Sequence, residues 1–174
     1  KFCVMKFINA LILLLFLSGC YVTTETYKLS NSFSSPEVSW INDKGDATIM
    51  GQAFLNQKGG GVVTCAGKTI SLIPKTPYSS ERMNKIYGSL NDGYRNYYAG
   101  DIIFEPSASQ FYYNYQRKTT CDAQGNFKFK NVLGDREYFI VTDVTWEIDY
   151  TVQGGYLMLR VKPEKKETLE VILN

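Results

Sequence analysis

The stretch that decides the fold is Thr119-Thr120-Cys121-Asp122-Ala123-Gln124-Gly125-Asn126-Phe127-Lys128-Phe129. Its middle has the composition of a tight turn, because the Asp122 carboxylate can accept backbone N–H bonds and Gly125 can adopt a positive φ. Phe127 and Phe129 follow two residues apart, so on a strand their side chains point to the same face. The stretch therefore predicts a β-hairpin that contributes two aromatic rings to a core.

Short apolar runs with turn residues on both sides occur on either side of this hairpin. Ala47 to Leu55 alternates in polarity, ends at Asn56 and is followed by the turn Lys58-Gly59-Gly60-Gly61. The other runs rich in β-branched or aromatic residues are 69–73, stopped by Pro74, and then 127–130, 138–142, 144–150, 156–161 and 169–173. Runs of this length and composition are typical of strands. Many short strands separated by turns indicate an all-β protein built as a β-sandwich.

Several of these segments resemble the carboxypeptidase regulatory-like, transthyretin-like domain. The residues that carry the resemblance are Gly51-Gln52-Ala53, Ile70-Ser71-Leu72-Ile73-Pro74, the 119–129 hairpin, and Gly134 followed by Tyr138-Phe139-Ile140-Val141. The resemblance departs from the family pattern at Cys121, which stands between the threonine pair and Asp122, and in the longer spacing from Gly134 to Tyr138. It implies a seven-stranded antiparallel β-sandwich over residues 45–174, acting as an accessory, binding or structural module without peptidase chemistry.

Residues 75–118 form an insertion where the family pattern has a short turn. Pro77 to Tyr87 predicts a short helix that Gly88 ends, with Glu81 and Lys85 four residues apart on one side. The insertion also holds eight of the 13 tyrosines, namely Tyr78, Tyr87, Tyr94, Tyr97, Tyr98, Tyr112, Tyr113 and Tyr115. Tyrosines on loops favour recognition, since each combines a large ring with a hydroxyl and has few torsions to order. The alternative is that the rings pack the insertion onto the sandwich.

The N-terminal region has the features of an export signal. The apolar run from Leu11 to Leu17 is too short to span a bilayer, and the small residues Ser18 and Gly19 precede Cys20. Leu17-Ser18-Gly19-Cys20 resembles the lipobox of bacterial lipoproteins, which implies a signal peptide over residues 1–19 and lipidation of Cys20. We expect residues 1–4 not to be native, because Met5-Lys6 would make a normal start. Tyr21 stands after the cysteine where an Asp is absent, which by the resemblance implies sorting to the outer membrane if the host is a Gram-negative bacterium.

Assigning Cys20 to the lipid, and Cys3 to the non-native residues, leaves two cysteines in the mature protein. Thiols pair in an exported protein, so we predict a Cys65–Cys121 disulfide. Residues 20–44 are rich in Ser, Thr and Asn and are interpreted as a lipidated tether that becomes ordered near Trp40. Removal of residues 1–19 takes away Lys1 and Lys6, so 19 basic residues become 17 against 17 acidic ones. The mature protein therefore lacks the excess of basic residues that is typical of nucleic-acid-binding proteins.

The same composition argues against catalysis. The sequence has no histidine, which is the commonest general base and metal ligand. Asp122, Gln124 and Asn126 alternate as in a calcium loop, but the twelve-residue loop with its terminal glutamate is missing. We therefore expect no enzyme activity, cofactor or metal site. Two functions remain: a surface module that binds a glycan, an envelope protein or its own copies through the insertion, and a structural subunit that assembles through strand edges or the N-terminal segment.

Overall fold

The computed structural model describes residues 24–174, so the predicted signal peptide, Cys20 and residues 1–4 lie outside the described residues. Residues 24–174 form eleven strands, three short α-helices and one 3₁₀ helix at Ser39–Asn42. The α-helices are α1 (Ser35–Val38), α2 (Pro77–Tyr87) and α3 (Gln110–Asn114). The strands are β1 (Thr24–Lys28), β2 (Ala47–Asn56), β3 (Val62–Thr64), β4 (Thr69–Pro74), β5 (Asp92–Asn96), β6 (Asp101–Glu105), β7 (Arg117–Thr120), β8 (Asn126–Val132), β9 (Tyr138–Ile148), β10 (Thr151–Val161) and β11 (Thr168–Leu173).

Two sheets face each other across the main core. The first is antiparallel, with the strand order β5-β10-β9-β4-β7. In the second, β2 pairs with β11 on one edge and with β8 and β3 along the other. Side chains from both sheets meet between them, including Ile49 and Phe129 from the second sheet and Ile70, Ile140 and Leu157 from the first. The protein is therefore mostly β-sheet, as the spacing of the runs predicts.

The 119–129 hairpin forms as the sequence predicts. The Asp122 carboxylate accepts hydrogen bonds from the backbone N–H groups of Gln124 (2.9 Å) and Asn126 (2.8 Å). Gly125 has φ 80°, and a Cβ there would lie 2.7 Å from the Thr64 side chain. Phe127 and Phe129 are both buried and their rings contact each other edge to face. Local turn chemistry and the alternation of the strand thus agree with the tertiary structure.

The predicted disulfide between Cys65 and Cys121 is present. It joins the segment before β4 to the end of β7, and the two cysteines have a sequence separation of 56. Closing a loop of that length removes entropy from the unfolded chain, which corresponds to about 4 kcal/mol of stabilisation. The bridge therefore fixes together the two strands from which the insertion leaves and to which it returns.

A second core lies on the outer face of the five-stranded sheet. Ile73, Phe139 and Met158 point outward from β4, β9 and β10 and are covered by Tyr78 and Met83 of α2, with further cover from Leu29, Phe104 and Tyr112. Helix α2 has the predicted limits: Thr76 and Ser79 form a reciprocal capping box, and Gly88 ends the helix at φ 69°. The insertion is therefore a folded layer of the molecule.

The tether prediction is wrong for residues 24–44. Strand β1 pairs in parallel with β6, and the Glu81 carboxylate accepts backbone N–H bonds from Ser30 and Asn31 at 2.8 and 2.9 Å. Glu81 therefore fastens this segment, whereas Lys85 lies over the Tyr27 ring at 4.7 Å. The polar composition of the segment misled the prediction, because its order comes from contacts made about 50 residues away in sequence.

Three further details of the predicted sandwich differ. Residues 24–174 contain eleven strands instead of seven, and the β1–β6 and β2–β11 pairs are parallel instead of antiparallel. The two runs predicted at 138–142 and 144–150 form the single strand β9. Sequence alternation identifies strands but carries no information on the direction of their partners, since either direction buries the same face.

Candidate functional site

The eight predicted tyrosines divide between the interior and the surface. Tyr78 and Tyr112 are each only 5% exposed, and Tyr87 and Tyr115 are half-buried. The other four are exposed: Tyr94, Tyr97, Tyr98 and Tyr113. The packing interpretation therefore applies to half of the set, and a recognition role is open only to the exposed half.

The buried tyrosines surround a buried arginine. The Arg82 guanidinium lies 4.1 Å from the centre of the Phe104 ring, 5.0 Å from that of Tyr112 and 5.6 Å from that of Tyr78. Burial raises the pKa of Tyr112 to about 12. Rings that hold a cation against their faces contribute to stability through cation–π attraction. This cluster joins α2, β6 and α3, so its tyrosines hold the insertion together.

The exposed Tyr97 and Tyr98 sit on a tightly bonded turn between β5 and β6. The Tyr97 N–H donates to the Gly154 carbonyl at 2.9 Å, and the Tyr98 N–H donates to the Asn96 side chain at 2.8 Å. The Arg95 guanidinium donates to the carbonyls of Ala99 (3.0 Å) and Gly100 (2.9 Å). These bonds fix the backbone of the turn, so the two rings are presented in a defined position.

Tyr97 stacks on Tyr156 of β10. Their ring centres are 6.3 Å apart and their planes differ by 17°, whereas Tyr98 meets Tyr97 edge to face at 5.4 Å. All three rings are 40–57% exposed. We call Tyr97, Tyr98 and Tyr156 the tyrosine platform. It lies on the outer face of the five-stranded sheet, at the end that the insertion leaves uncovered.

Hydrogen-bonding side chains flank the platform. Asp143 of β9 is the cross-strand partner of Tyr156, and its carboxylate forms an ion pair of 2.7 Å with Lys68. Lys68 also donates to the Thr145 hydroxyl at 2.8 Å. The side chains of Lys68 and Asp143 keep 37% and 30% of their surface exposed, so both can still reach a ligand. A row of aromatic faces thus borders an ammonium, a carboxylate and a hydroxyl.

Tyr156 of the platform remains neutral at physiological pH, because its pKa is raised. Partial burial raises the pKa of Tyr156, and the nearby Tyr97 and Asp143 raise it further. A neutral phenol both donates and accepts hydrogen bonds. The platform therefore offers ring faces for stacking and hydroxyls for polar contacts.

Sequence analysis missed Tyr156, Lys68 and Asp143 as members of the site. Tyr156 begins a predicted strand, and its alternation with the buried Leu157 places it on the outer face. What the sequence does not contain is the antiparallel register that places Tyr156 beside Asp143 and Arg95. The site combines two strands, one turn and the segment before β4, so its members become neighbours only in the fold.

The two remaining exposed tyrosines do not join the platform. The Tyr94 hydroxyl donates to the Gly154 carbonyl at 3.0 Å, so this ring supports the β5 edge of the sheet. Tyr113 contacts Tyr112 edge to face at 5.3 Å and is 43% exposed. Tyr113 therefore offers a matched exposed tyrosine outside the candidate site.

The Asp122 carboxylate, which a calcium loop would use as a ligand, is engaged in the hydrogen bonds of the hairpin. Asp122 accepts two backbone N–H bonds and one from the Asn126 side-chain amide at 3.0 Å, and these bonds lower its pKa. In the part of the chain that the structure describes, no three His, Cys, Asp or Glu side chains come together as a metal site would need. None of the helices between residues 24 and 174 is long and apolar enough to cross a membrane.

A shallow hollow of about 620 Å³ lies on the outer face of the second sheet. Met50, Gln52, Phe127, Glu170 and Ile172 are among its lining residues. Its one aromatic ring, Phe127, is buried in the main core. The hollow therefore presents aliphatic, amide and carboxylate groups, and it lacks the stacked exposed rings of the tyrosine platform.

Comparisons with known proteins define the fold class. No protein-family model and no curated protein matches the chain. Among solved structures, the chain is similar to a "putative carbohydrate binding protein" from Pseudomonas aeruginosa, with a TM-score of 0.67. The similarity covers 82% of this chain and 97% of that chain, at 21% sequence identity. A likeness at this identity shows that the two proteins share a β-rich fold.

Proposed function

We propose that the protein is a non-catalytic binding module of the bacterial cell envelope, held at a membrane by lipid on Cys20, and that it binds carbohydrate at the tyrosine platform. The observation that carries the proposal is the stacked pair Tyr97 and Tyr156 beside the Lys68–Asp143 ion pair. Stacked exposed rings next to paired charges suit a ligand that has both apolar faces and a polar rim.

A pyranose ring has these two properties. Its C–H groups form flat apolar faces that pack on aromatic rings, and its hydroxyls both donate and accept hydrogen bonds. The Asp143 carboxylate can accept from a hydroxyl, the Lys68 ammonium can donate, and Thr145 can do either. The platform is open instead of enclosed, which fits the end or side of a chain of sugars better than a small free metabolite.

The comparison supports the same ligand class. The Pseudomonas protein is described as a "putative carbohydrate binding protein", and almost its whole chain superposes on this one. We infer further that residues 45–174 are a carboxypeptidase regulatory-like, transthyretin-like domain into which the insertion has been built. The 119–129 hairpin supports this assignment, since Asp122, Gly125 and the two phenylalanines have the predicted roles.

The lipobox supports attachment to the envelope. Leu17-Ser18-Gly19-Cys20 follows an apolar run of signal-peptide length, and Tyr21 favours the outer membrane as destination. A disulfide between Cys65 and Cys121 is compatible with an oxidising compartment. Acylation of Cys20 by several chains would give the stable attachment that a single chain cannot.

Replacement of the stacked pair tests the carbohydrate site. We expect Tyr97→Ala/Tyr156→Ala to bind soluble bacterial envelope polysaccharide about tenfold or more weakly, because two aromatic contacts of about 1 kcal/mol each are lost. Affinity electrophoresis through polysaccharide-containing gels and isothermal titration measure the change. Tyr113→Ala is the matched control, because it removes an equally exposed ring outside the platform and should leave binding unchanged. Equal retention of wild type and double variant at equal melting temperature would contradict the site.

A further inference from the structure

The tip of the β9–β10 hairpin is unusual for a two-residue turn. Ile148 pairs with Thr151, so only Asp149 and Tyr150 form the connection. Both have positive φ, 49° and 63°. Such turns favour asparagine and glycine, and a bulky aromatic residue at positive φ is disfavoured. Turn geometry alone therefore does not explain Tyr150.

Packing within the molecule does not explain Tyr150 either. Its side chain is 98% exposed, and Ile148 beside it is 44% exposed. An unfavourable backbone position that carries a fully exposed ring points to a contact made outside the chain. The tip thus presents a small apolar surface formed by Ile148 and Tyr150.

Thr24, the first described residue, lies at the same end of the molecule as the tip of the β9–β10 hairpin. Thr24 lies beside Asp101, which directly follows the turn that holds Tyr97 and Tyr98. Tyr97 is in turn bonded to Gly154 of β10. From Gly154 the strand continues four residues to Tyr150, a distance of about 13 Å. The tip therefore projects beyond the point where the chain enters the fold.

The longest distance that the chain from Cys20 to Thr24 can span is similar to the distance by which the hairpin tip projects. Cys20 is four residues away, and four residues span at most about 14 Å when extended. A lipid on Cys20 therefore keeps the bilayer surface within about 14 Å of Thr24. This is close to the distance by which the hairpin tip projects, so the tip and the lipid attachment can reach one plane together.

We propose that the β9–β10 tip, through Ile148 and Tyr150, docks on the membrane surface into which the Cys20 lipid inserts. The inference rests on the proposed lipidation. A tyrosine suits this position because its ring enters the interfacial region while its hydroxyl stays hydrated. The two contacts, lipid and tip, fix the orientation of the module on the membrane.

Charge determines the kind of surface. Residues 147–151 carry the carboxylates of Glu147 and Asp149 and no lysine or arginine. Anionic headgroups attract basic clusters and repel carboxylates. The tip is therefore suited to zwitterionic headgroups, where aromatic insertion is not opposed by repulsion. With the tip on the surface, the tyrosine platform lies roughly 13 Å above it, within reach of sugars close to the membrane.

Site-directed spin labelling of the lipidated protein in phosphatidylcholine vesicles tests the orientation. A nitroxide is placed on Thr151→Cys, next to Tyr150, and in a control on Lys166→Cys. Lys166 is also an exposed residue with positive φ, 62°, but it follows the opposite end of β10, about 35 Å away. Cys65 and Cys121 are paired and Cys20 is acylated, so the introduced thiol is the one that reacts.

We expect the label at position 151 to collide with a water-soluble nickel chelate at least threefold less often than the label at 166. Adding Tyr150→Asn, which suits the turn and so preserves the fold, should abolish this difference. Equal accessibility at 151 and 166 in protein that floats with the vesicles would overturn the docking proposal alone. If the protein does not float with the vesicles, both the lipid attachment and the docking proposal are overturned. Polysaccharide binding is tested separately, by the assay of the Tyr97→Ala/Tyr156→Ala variant.

Discussion

At the residue scale, Asp122 shows how much of a fold one side chain can determine. Its carboxylate accepts three N–H bonds across the turn that joins β7 to β8. The sequence predicts this role because all of the donors lie within four residues of Asp122. Tyr97 and Tyr112 present the opposite case. Both are tyrosines of the insertion, and only the fold assigns one to the surface and the other to the interior.

Removal of the Asp122 carboxylate should lower the melting temperature in a pH-dependent way. The hydrogen bonds lower the pKa of Asp122 in the folded protein, so their stabilisation is complete above the unfolded pKa, about 3.9. It is lost as the pH falls through the folded value. We expect Asp122→Ala to melt below wild type from neutral pH down to about pH 5, with the difference shrinking under more acidic conditions.

Calorimetry at a series of pH values measures this difference. Asp43→Ala is the control, because Asp43 is a surface carboxylate outside the hairpin and its removal should change the melting temperature little at any pH. A difference between Asp122→Ala and wild type that stays constant down to pH 2 would show that the ionised carboxylate is not what stabilises the turn.

At the scale of the elements, the segment before β2 is held by side chains of the insertion. Strand β1 extends β6, and the Glu81 carboxylate of α2 binds the backbone at Ser30 and Asn31. Helix α2 is predictable because its capping residues, apolar face and terminal glycine lie within 13 residues. Strand β1 is not, since its partner begins 77 positions later and nothing local marks it as a strand.

Loss of the Glu81 carboxylate should release this segment selectively. The bonds from Ser30 and Asn31 lower the pKa of Glu81 below its usual 4.5, so the attachment is complete above that pH and weakens as the pH falls through the folded pKa. We expect Glu81→Ala to speed hydrogen exchange of the amides in residues 24–34 at least tenfold, while β9 and β10 remain protected. Hydrogen–deuterium exchange with mass spectrometry resolves these segments.

Glu170→Ala serves as the control for this prediction. Glu170 is an exposed glutamate on β11 in the other sheet, so its removal should leave exchange of residues 24–34 unchanged. Unaltered exchange in Glu81→Ala would mean that the β1–β6 pairing alone holds the segment.

At the scale of the whole molecule, the strand edges bear on the alternative that the protein is a structural subunit. Edge strands assemble when they are long, flat and apolar. The edge strand β7 has only four residues, and β11 places Glu170 in its middle. On the N-terminal side, β1 already uses one edge to pair with β6. These features favour a module that remains separate from its copies.

The unlipidated domain, residues 21–174, should therefore be monomeric. We expect one species of monomer mass in size-exclusion chromatography with light scattering, at all concentrations between about 10 and 500 μM. A species whose mass grows with concentration would favour the structural subunit instead. In that case Ile172→Lys, which adds a charge to the exposed face of β11, distinguishes assembly through this strand from assembly elsewhere.

The overall sandwich was within reach of sequence reasoning because turn residues and alternating polarity repeat along the chain. The directions of the β1–β6 and β2–β11 pairs could not be predicted from the sequence, since parallel partners are brought together by the path of the whole chain. For the same reason, only some residues of the candidate site could be predicted from the sequence. Tyr97 and Tyr98 stand out by composition, but Tyr156, Asp143 and Lys68 join them through strand register.

The place where the insertion leaves the sandwich has a consequence for how such a protein can diversify. Ile70 and Thr119 are paired neighbours on β4 and β7, and the Cys65–Cys121 bridge locks the same two strands together. The entry and exit of the insertion are thus held a strand spacing apart by contacts that do not involve the insertion itself. Segments of different length and sequence can be exchanged between these two points if they cover Ile73, Phe139 and Met158. The scaffold can in this way acquire new ligands while its own strands stay constant.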